Sequence, residues 1–566
     1  MNKEIPCKSI LLLKVPHCEY IETNDEDSIT FFNQKQIFRP IPSLALAHLC
    51  AFIEKYKKLN YEIEAVDINI EAYIQPTSPI DINMYPSIME DRIKRGKYDV
   101  LCLSAMFAYN HRWVEMAVGL SRKYHPKARI ILGGGYATIF PEKCLLEHDL
   151  DGVVIGEGDD TLLHILNKYN HFVDKELEQM FPFNGYAFRS GDGRTIEILK
   201  RCHYIKMNDL PMPEWHFLNL DKYFVNSGNR VLPILASRGC PYSCTYCSSH
   251  LTWGKRVRYK SATDIINEIV SLYNDFKIDG IHFVDDNVTF SKSWIIDFLK
   301  SFLSLNFKLT LSLANFSVKH LDAEIIDLFL KAGITYFNIS IESGSENIQN
   351  AIKKNLDFDK VRSVVNLLRS KHCEVHIAWM VGFPNESLVE INQTFDLARE
   401  LKADKSIFAI VLPYPETELY RETQKLGLLS SGIDNIDNFD YRKSCGIVST
   451  EWDYDLLSNM VYDINIELNF LNNSLLSTRE GREKLLKRLE ELVLALPEHV
   501  IAHIVLGYLY MEHGFSKNAQ KQYDSAIALL KMTELAAVFD KYLAYNHYII
   551  NDFNNYKTIN ITTSTD

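Results

Sequence analysis

The order of apolar and amphipathic stretches predicts two α/β units in tandem, followed by an all-helical region. Three observations carry that reading. Short apolar runs alternate with amphipathic segments over residues 1–180 and again over 231–430, the pattern of parallel strands joined by crossover helices. Small and polar residues gather just after the apolar runs, where an open α/β sheet receives its ligands. Beyond residue 430 the alternation stops and a helical period takes over. A length of 566 residues gives room for several domains with full cores. The net charge of −12 argues against a surface that coats nucleic acid. No apolar stretch reaches membrane-spanning length, and Ile10 to Leu13 is too short for a secretory core. The expected location is the cytoplasm, with no membrane or nucleic-acid partner. Eleven cysteines in so long a chain do not read as a disulfide scaffold.

In the first unit, residues 1–180, strands are expected at Ser9–Val15, Tyr61–Asp67, Asp99–Ser104, Ala128–Leu132 and Gly152–Ile155. Helices are expected at Ser43–Tyr56, His111–Tyr124 and Asp160–Tyr169. This is the layout of a doubly wound, Rossmann-like sheet. Its candidate ligand contacts are Ser104, Gly133, Gly134 and Gly135, with Gly156, Glu157 and Gly158 after the fifth strand. Glycine there lets a bulky ligand approach the backbone. A dinucleotide site needs G-x-G-x-x-G after the first strand; Pro16-His-Cys-Glu-Tyr stands there instead. Residues 181–230 read as a connector. Within it, Asp209-Leu-Pro-Met-Pro-Glu-Trp215 is a proline-stiffened spacer with an aromatic anchor.

The second unit, residues 231–430, has strands expected at Val231–Ala236, Gly280–Val284, Lys308–Leu313, Thr335–Ile341, Glu374–Val381 and Ser406–Leu412. Between them lie helices at Ala262–Phe276, Lys292–Ser304, Ala323–Ala332, Asp359–Ser370 and Leu388–Leu401. Six strands with helical crossovers suggest a partial (β/α)6 barrel, with its chemistry at the carboxyl ends of the strands. The unusual residues fall at those ends. After the first strand comes Arg238-Gly-Cys240-Pro-Tyr-Ser-Cys244-Thr-Tyr-Cys247. Three thiolates on a four-iron cluster leave one iron open, whereas electron-transfer clusters and structural zinc sites take four protein ligands. No second cysteine pair lies nearby; the next cysteines are Cys202 and Cys373.

This C-x3-C-x-aromatic-C array, with Tyr246 as the aromatic residue, resembles that of the radical S-adenosylmethionine (SAM) enzymes. The resemblance implies a [4Fe-4S] cluster on Cys240, Cys244 and Cys247, with SAM on the open iron. It also implies SAM contacts from Asp285 and Asp286 after the second strand, Ser340 and Glu342 at the fourth, and Gly382 at the fifth. Asn385-Glu386-Ser387 stands where the family more often has Gly-Glu-Thr, a mild departure. In the first unit, Leu132-Gly-Gly-Gly-Tyr-Ala-Thr138 and Asp151-Gly-Val-Val-Ile-Gly-Glu-Gly-Asp-Asp-Thr161 resemble the cobalamin-binding domain that precedes many radical SAM domains. The Asp-x-His-x-x-Gly motif whose histidine ligates cobalt in some cobalamin proteins is absent, as it commonly is in the radical SAM relatives.

In the third region, residues 431–566, Leu506-Gly507-x-x-Tyr510 with Ala519, Tyr523 and Ala526 fits one tetratricopeptide-like helix pair near 500–533. His503 replaces the repeat's usual aromatic residue. The pair could dock a protein partner or cap the barrel. A preceding helix is expected at Thr478–Leu496, and the tail Asn560–Asp566 is expected to fray. The functional implication of the family resemblance is a cobalamin-dependent enzyme that makes a 5′-deoxyadenosyl radical. Its expected role is to methylate an unactivated carbon of a small molecule or peptide, with electrons from a donor such as flavodoxin or ferredoxin. Ring formation, rearrangement or a non-catalytic cluster and corrin sensor are the alternatives.

Overall fold

In the computed structural model, residues 8–17, 41–72, 82–191, 193, 195–433, 446–544 and 547–563 are described. The first unit holds β1 (Lys8–Lys14), β2 (Tyr61–Asp67), β3 (Val100–Ser104), β4 (Arg129–Gly133), β5 (Gly152–Val154), β6 (Tyr186–Arg189) and β7 (Ile196–Leu199). They form one sheet in the order β2-β1-β3-β4-β5-β6-β7. The first five strands are parallel; β6 and β7 add on antiparallel. The sheet therefore runs past residue 180 into the stretch that the sequence reads as connector. In β1, Leu11 and Leu13 pack on one face and Ile10 and Leu12 on the other, all fully buried. A near-continuous apolar strand of this kind is what a sheet covered on both sides requires.

Helices Leu44–Tyr56, His111–Tyr124 and Asp159–Tyr169 cover the faces at the expected places. A helix at Tyr85–Arg95 is added; it buries Tyr85, Met89 and Ile93 at four-residue spacing, and Pro86 sits in its first turn, where proline is tolerated.

The second unit contributes β8 (Val231–Ile234), β9 (Ser237–Arg238), β10 (Arg258–Tyr259), β11 (Gly280–Phe283), β12 (Thr310–Leu313), β13 (Tyr336–Glu342), β14 (Glu374–Val381) and β15 (Lys405–Ile410). Strands β12-β11-β8 form one parallel sheet and β13-β14-β15 another. A bridge from Phe316 to Ile339 and the Asn338 side chain, which donates to the Ala314 carbonyl, link the two. Each crossover helix starts on a side-chain cap. Ser261 accepts from the Asp264 amide, Ser291 from Trp294 and Asp322 from Ile325; Ser387 and Glu390 form a capping box.

The C-terminal region is helical and lies on the exposed edge of β15. The Asn469 carboxamide accepts from the Ser406 amide (2.9 Å) and donates to the Ser406 carbonyl (2.7 Å), pairing as a further strand would. Helices Val500–Glu512 and Ser516–Leu529 pack closely: a Cβ on Gly507 would lie 2.3 Å from the Tyr523 ring. The final helix, Tyr548–Thr563, extends into the stretch expected to fray; residues 564–566 lie outside the described residues. Among the described residues no helix is long and apolar enough to cross a membrane. One buried core runs without a break from Ile10 and Phe52 through Trp215 of the connector to Ile234, Phe283 and Trp379 of the second unit.

Candidate functional site

The cysteine loop leaves a short antiparallel ribbon formed by β9 and β10. Gly239 makes the exit possible. Its φ is +97°, and a Cβ there would stand 2.5 Å from the Arg256 carbonyl oxygen. Cys240, Cys244 and Cys247 are free, half-buried thiols. Burial pushes the Cys240 thiol up and the Cys247 thiol up to about 12, and the nearby Asp286 charge adds to both. Hydrogen bonds from the Tyr242 amide and Asn287 to Cys240, and from the Ser249 amide to Cys247, pull the other way without outweighing burial, and a cationic metal centre would favour the thiolates further. Among the described residues no group of three or more His, Cys, Asp or Glu side chains is placed to hold a single metal ion.

Residues at and beyond the carboxyl ends of β11, β12 and β13 meet this loop. Tyr246 donates to Glu342 (3.0 Å), and Lys354 holds the same carboxylate oxygen (2.7 Å). Burial first, then the Glu342 charge, raise the Tyr246 phenol, which therefore stays a donor. Glu342 has φ +73°, and the β13–β14 register slips between Ser340 and Glu342. A non-glycine residue held left-handed at a strand end is a local strain of the kind that collects at functional sites. Ser340 and Asn315 sit side by side, 3.5 Å apart. Across the loop, the Tyr242 hydroxyl meets His320 Nε2 at 2.5 Å.

The two aspartates differ. Asp285 turns away from the loop tip: it accepts from the Ala236 amide (3.2 Å) and from the Ser237 amide and hydroxyl (2.5 Å each). Burial pushes its carboxyl up to about 7 despite those bonds. Asp286 faces the loop and accepts from Ser249 just beyond Cys247. Gly382 has φ +89°, and a Cβ would lie 2.7 Å from Leu457 of the C-terminal region. Its amide donates to buried Glu386 (2.6 Å), as does that of Phe383 (3.0 Å).

The carboxyl edge of the first sheet supplies the other half. Gly134 and Gly135 let two loops meet, since a Cβ on either would lie 2.3 and 2.4 Å from the carbonyl oxygens of Ala105 and Met106. Gly133 is different: the nearest atom to a Cβ there is 3.9 Å away. Beside half-buried Ser104 and Gly133 stand Met106 (52% exposed) and Phe107 (41%). Phe107 stacks on Tyr109 at 5.0 Å and meets the His17 ring edge-on at 5.9 Å. An apolar, aromatic shelf over bare backbone suits a large flat ligand with an apolar face. Burial first, then Lys14, bring His17 down to about 4, so it is neutral at pH 7.

Both halves touch helix Ser249–Trp253, which follows Cys247. Helix Gly135–Ile139 packs on it, and a Cβ on Gly156 would lie 3.0 Å from the Thr252 carbonyl oxygen. The carboxylate of Glu157 turns inward, towards Arg238 and Arg258 of the second unit. Arg258, His320 and Lys354 escape a reading of the sequence because they reach the site through distant pairings that leave no local spacing signal.

Comparison with known proteins agrees with this geometry. Residues 234–398 match the Radical SAM superfamily and residues 40–166 the B12 binding domain. The chain is 26% identical over 468 residues to cytidylyl-2-hydroxyethylphosphonate methyltransferase of Streptomyces wedmorensis, covering 75% of this chain and 86% of that protein. Among solved structures, the radical SAM methyltransferase TsrM of Kitasatospora setae, with cobalamin and a [4Fe-4S] cluster bound, superposes with a TM-score of 0.58 at 15% identity, over 75% of this chain and 76% of that one. The cobalamin-dependent radical SAM enzyme OxsB, with aqua-cobalamin bound, gives 0.60 at 14% identity, over 98% of this chain and 84% of that one.

Proposed function

Because the chain joins a B12-binding domain to a radical SAM domain, we propose that it is a cobalamin-dependent radical SAM enzyme that methylates an unactivated carbon of a small molecule or peptide. The observation that carries this reading is the contact of both candidate sites with helix Ser249–Trp253, which sets a methyl-carrier site beside a cluster loop. When bound, the [4Fe-4S] cluster, SAM and cobalamin supply one-electron reduction, hydrogen-atom abstraction and a transferable methyl group.

The protein's part is binding, orientation and exclusion of water. Cys240, Cys244 and Cys247 hold the cluster. Asp286, Ser340 and Glu342 present acceptors for the polar groups of SAM. Tyr246 and Lys354 fix the Glu342 carboxylate from two sides, so it keeps one orientation. Asp285 braces the strand behind the loop and Gly382 the turn that Glu386 closes. Ser104, Gly133 and Gly158 give the corrin access to the backbone, and Gly134, Gly135 and Gly156 let the neighbouring loops close up beside it. The six strands form a partial (β/α)6 barrel, and residues 500–529 a tetratricopeptide-like pair serving as a cap. A low-potential carrier such as flavodoxin or ferredoxin delivers the electrons.

Anaerobically reconstituted protein given methyl-labelled SAM, cobalamin and a reductant should release 5′-deoxyadenosine and pass label to the substrate's carbon. Cys244→Ala should do neither. Release by that variant at the wild-type rate would sink the reading.

A further inference from the structure

We propose that the loop of residues 156–160 couples the corrin edge to the cysteine loop, with Glu157 and Arg238 as its positioning residues. The inference rests on the function proposed above and assigns this loop a role other than lining the corrin.

This segment follows β5 and carries Glu157 in the loop itself, with Asp159 and Asp160 in the first turn of helix Asp159–Tyr169. Three arginines from outside the loop meet them. Arg258 pairs with one oxygen of Glu157. Arg238 lies 3.4 Å from the other and 2.8 Å from Asp159. Arg201 lies 2.8 Å from Asp160 and also donates to the Glu157 carbonyl. The Ile205 amide donates to Glu157 as well (3.2 Å). Three acids balance three guanidinium groups, and the Glu157 side chain is 0% exposed. Charges buried this way hold one geometry, because separating any pair leaves an unpaired charge away from water. Planar guanidinium forks make that geometry directional.

Position gives the cluster of charges its consequence. Arg238 stands two residues before Cys240, and its guanidinium faces Trp253 at 5.0 Å. Arg258 also donates to the Trp253 carbonyl oxygen (3.1 Å). The acidic loop thus grips the cysteine loop on the residue that enters it and on the helix that leaves it. Gly156 of the same segment and helix Gly135–Ile139 of the glycine edge also rest on that helix. A ligand seated on the glycine edge therefore presses on elements that fix the thiols. By linkage, whatever factor bound corrin applies to the affinity of the cluster site for SAM, SAM applies to the affinity for corrin.

The test is a titration of full-length protein with hydroxocobalamin, followed by its visible absorption, with and without the reconstituted cluster and SAM. Electron paramagnetic resonance of the reduced cluster, with and without corrin, is read in parallel. Wild type should bind corrin at least about fivefold more tightly in the loaded state, within the usual range of such couplings. The triple variant Glu157→Gln, Asp159→Asn, Arg238→Met removes three charges together. Its corrin affinity should be the same in both states, and its cluster spectrum should no longer respond to corrin. A folded triple variant with wild-type coupling overturns the proposal. Should the triple variant not fold, Arg238→Lys keeps the charge and loses the fork; unchanged coupling and an unchanged spectrum there overturn it equally. Wild type that binds corrin equally in both states overturns the coupling alone. Wild type that binds none overturns the cobalamin function with it.

Discussion

At the scale of single residues, the loop's behaviour depends on how a few buried groups are held. Glu342 is fixed by Tyr246 and Lys354. Tyr246→Phe removes one of these bonds, worth about 1 kcal/mol, and frees the carboxylate to turn. The Michaelis constant for SAM, read from 5′-deoxyadenosine release, should rise about fivefold by that arithmetic, with iron content unchanged; an unmoved constant would remove Tyr246 from the site. Glu386 gives a pH signature. Burial raises its carboxyl from 4.5 to about 8, against the pull of the Gly382 and Phe383 amides. A group with a raised folded value favours the protonated fold, so its stabilisation is complete below the unfolded value and is lost as pH climbs towards 8. The thermal midpoint of the wild type should fall between pH 5 and 8. Glu386→Gln keeps an acceptor for both amides and should flatten that dependence; equal slopes in the two proteins would count against it. The three cysteines were legible because their spacing is local. The division of labour between Asp285 and Asp286 was not, because it depends on Ser237 and Ser249, which lie far away in sequence.

At the scale of elements, neighbouring glycines have opposite duties. Gly134 has φ +100° and no room for a Cβ; Gly133 has room. Gly134→Ala should therefore unseat the loop against Ala105 and lower the thermal midpoint by several degrees, as a clash with fixed backbone does. Gly133→Ala should leave the midpoint in place while weakening hydroxocobalamin binding, measured by absorption titration. If both variants fold and bind like wild type, the glycine edge is not the corrin site. Helices with a strong period and a clear cap, such as Ala262–Phe276 and Leu388–Leu401, stood where the sequence put them. Helix Tyr85–Arg95 did not announce itself, since Pro86 and five charged residues mask its narrow apolar stripe. Strands β6 and β7 were hidden for a different reason. β6 and β7 are only four residues each and β7 is largely exposed, too short a stretch for alternation to stand out.

For the whole molecule, the C-terminal helices complete the second unit. Asn469 closes the open backbone of β15 at Ser406, and Arg399 pairs with Glu467 at 2.8 Å. Unpaired strand edges invite association. Asn469→Ala should lower the thermal midpoint and raise light scattering on heating, while the iron bound per chain stays constant; no change in either would show that the edge needs no cover. Trp215, the connector's aromatic anchor, packs between the two units as its sequence suggests, but the prolines around it carry no sign of which residues it would meet.

That unbroken core has one more effect. Carrier proteins that shuttle a bound group do so by swinging a domain on a slack tether, and here there is no slack: Tyr223 of the connector donates to buried Asp67 at 3.0 Å. The two units are joined by shared packing as well as by chain, so each steadies the other against local opening.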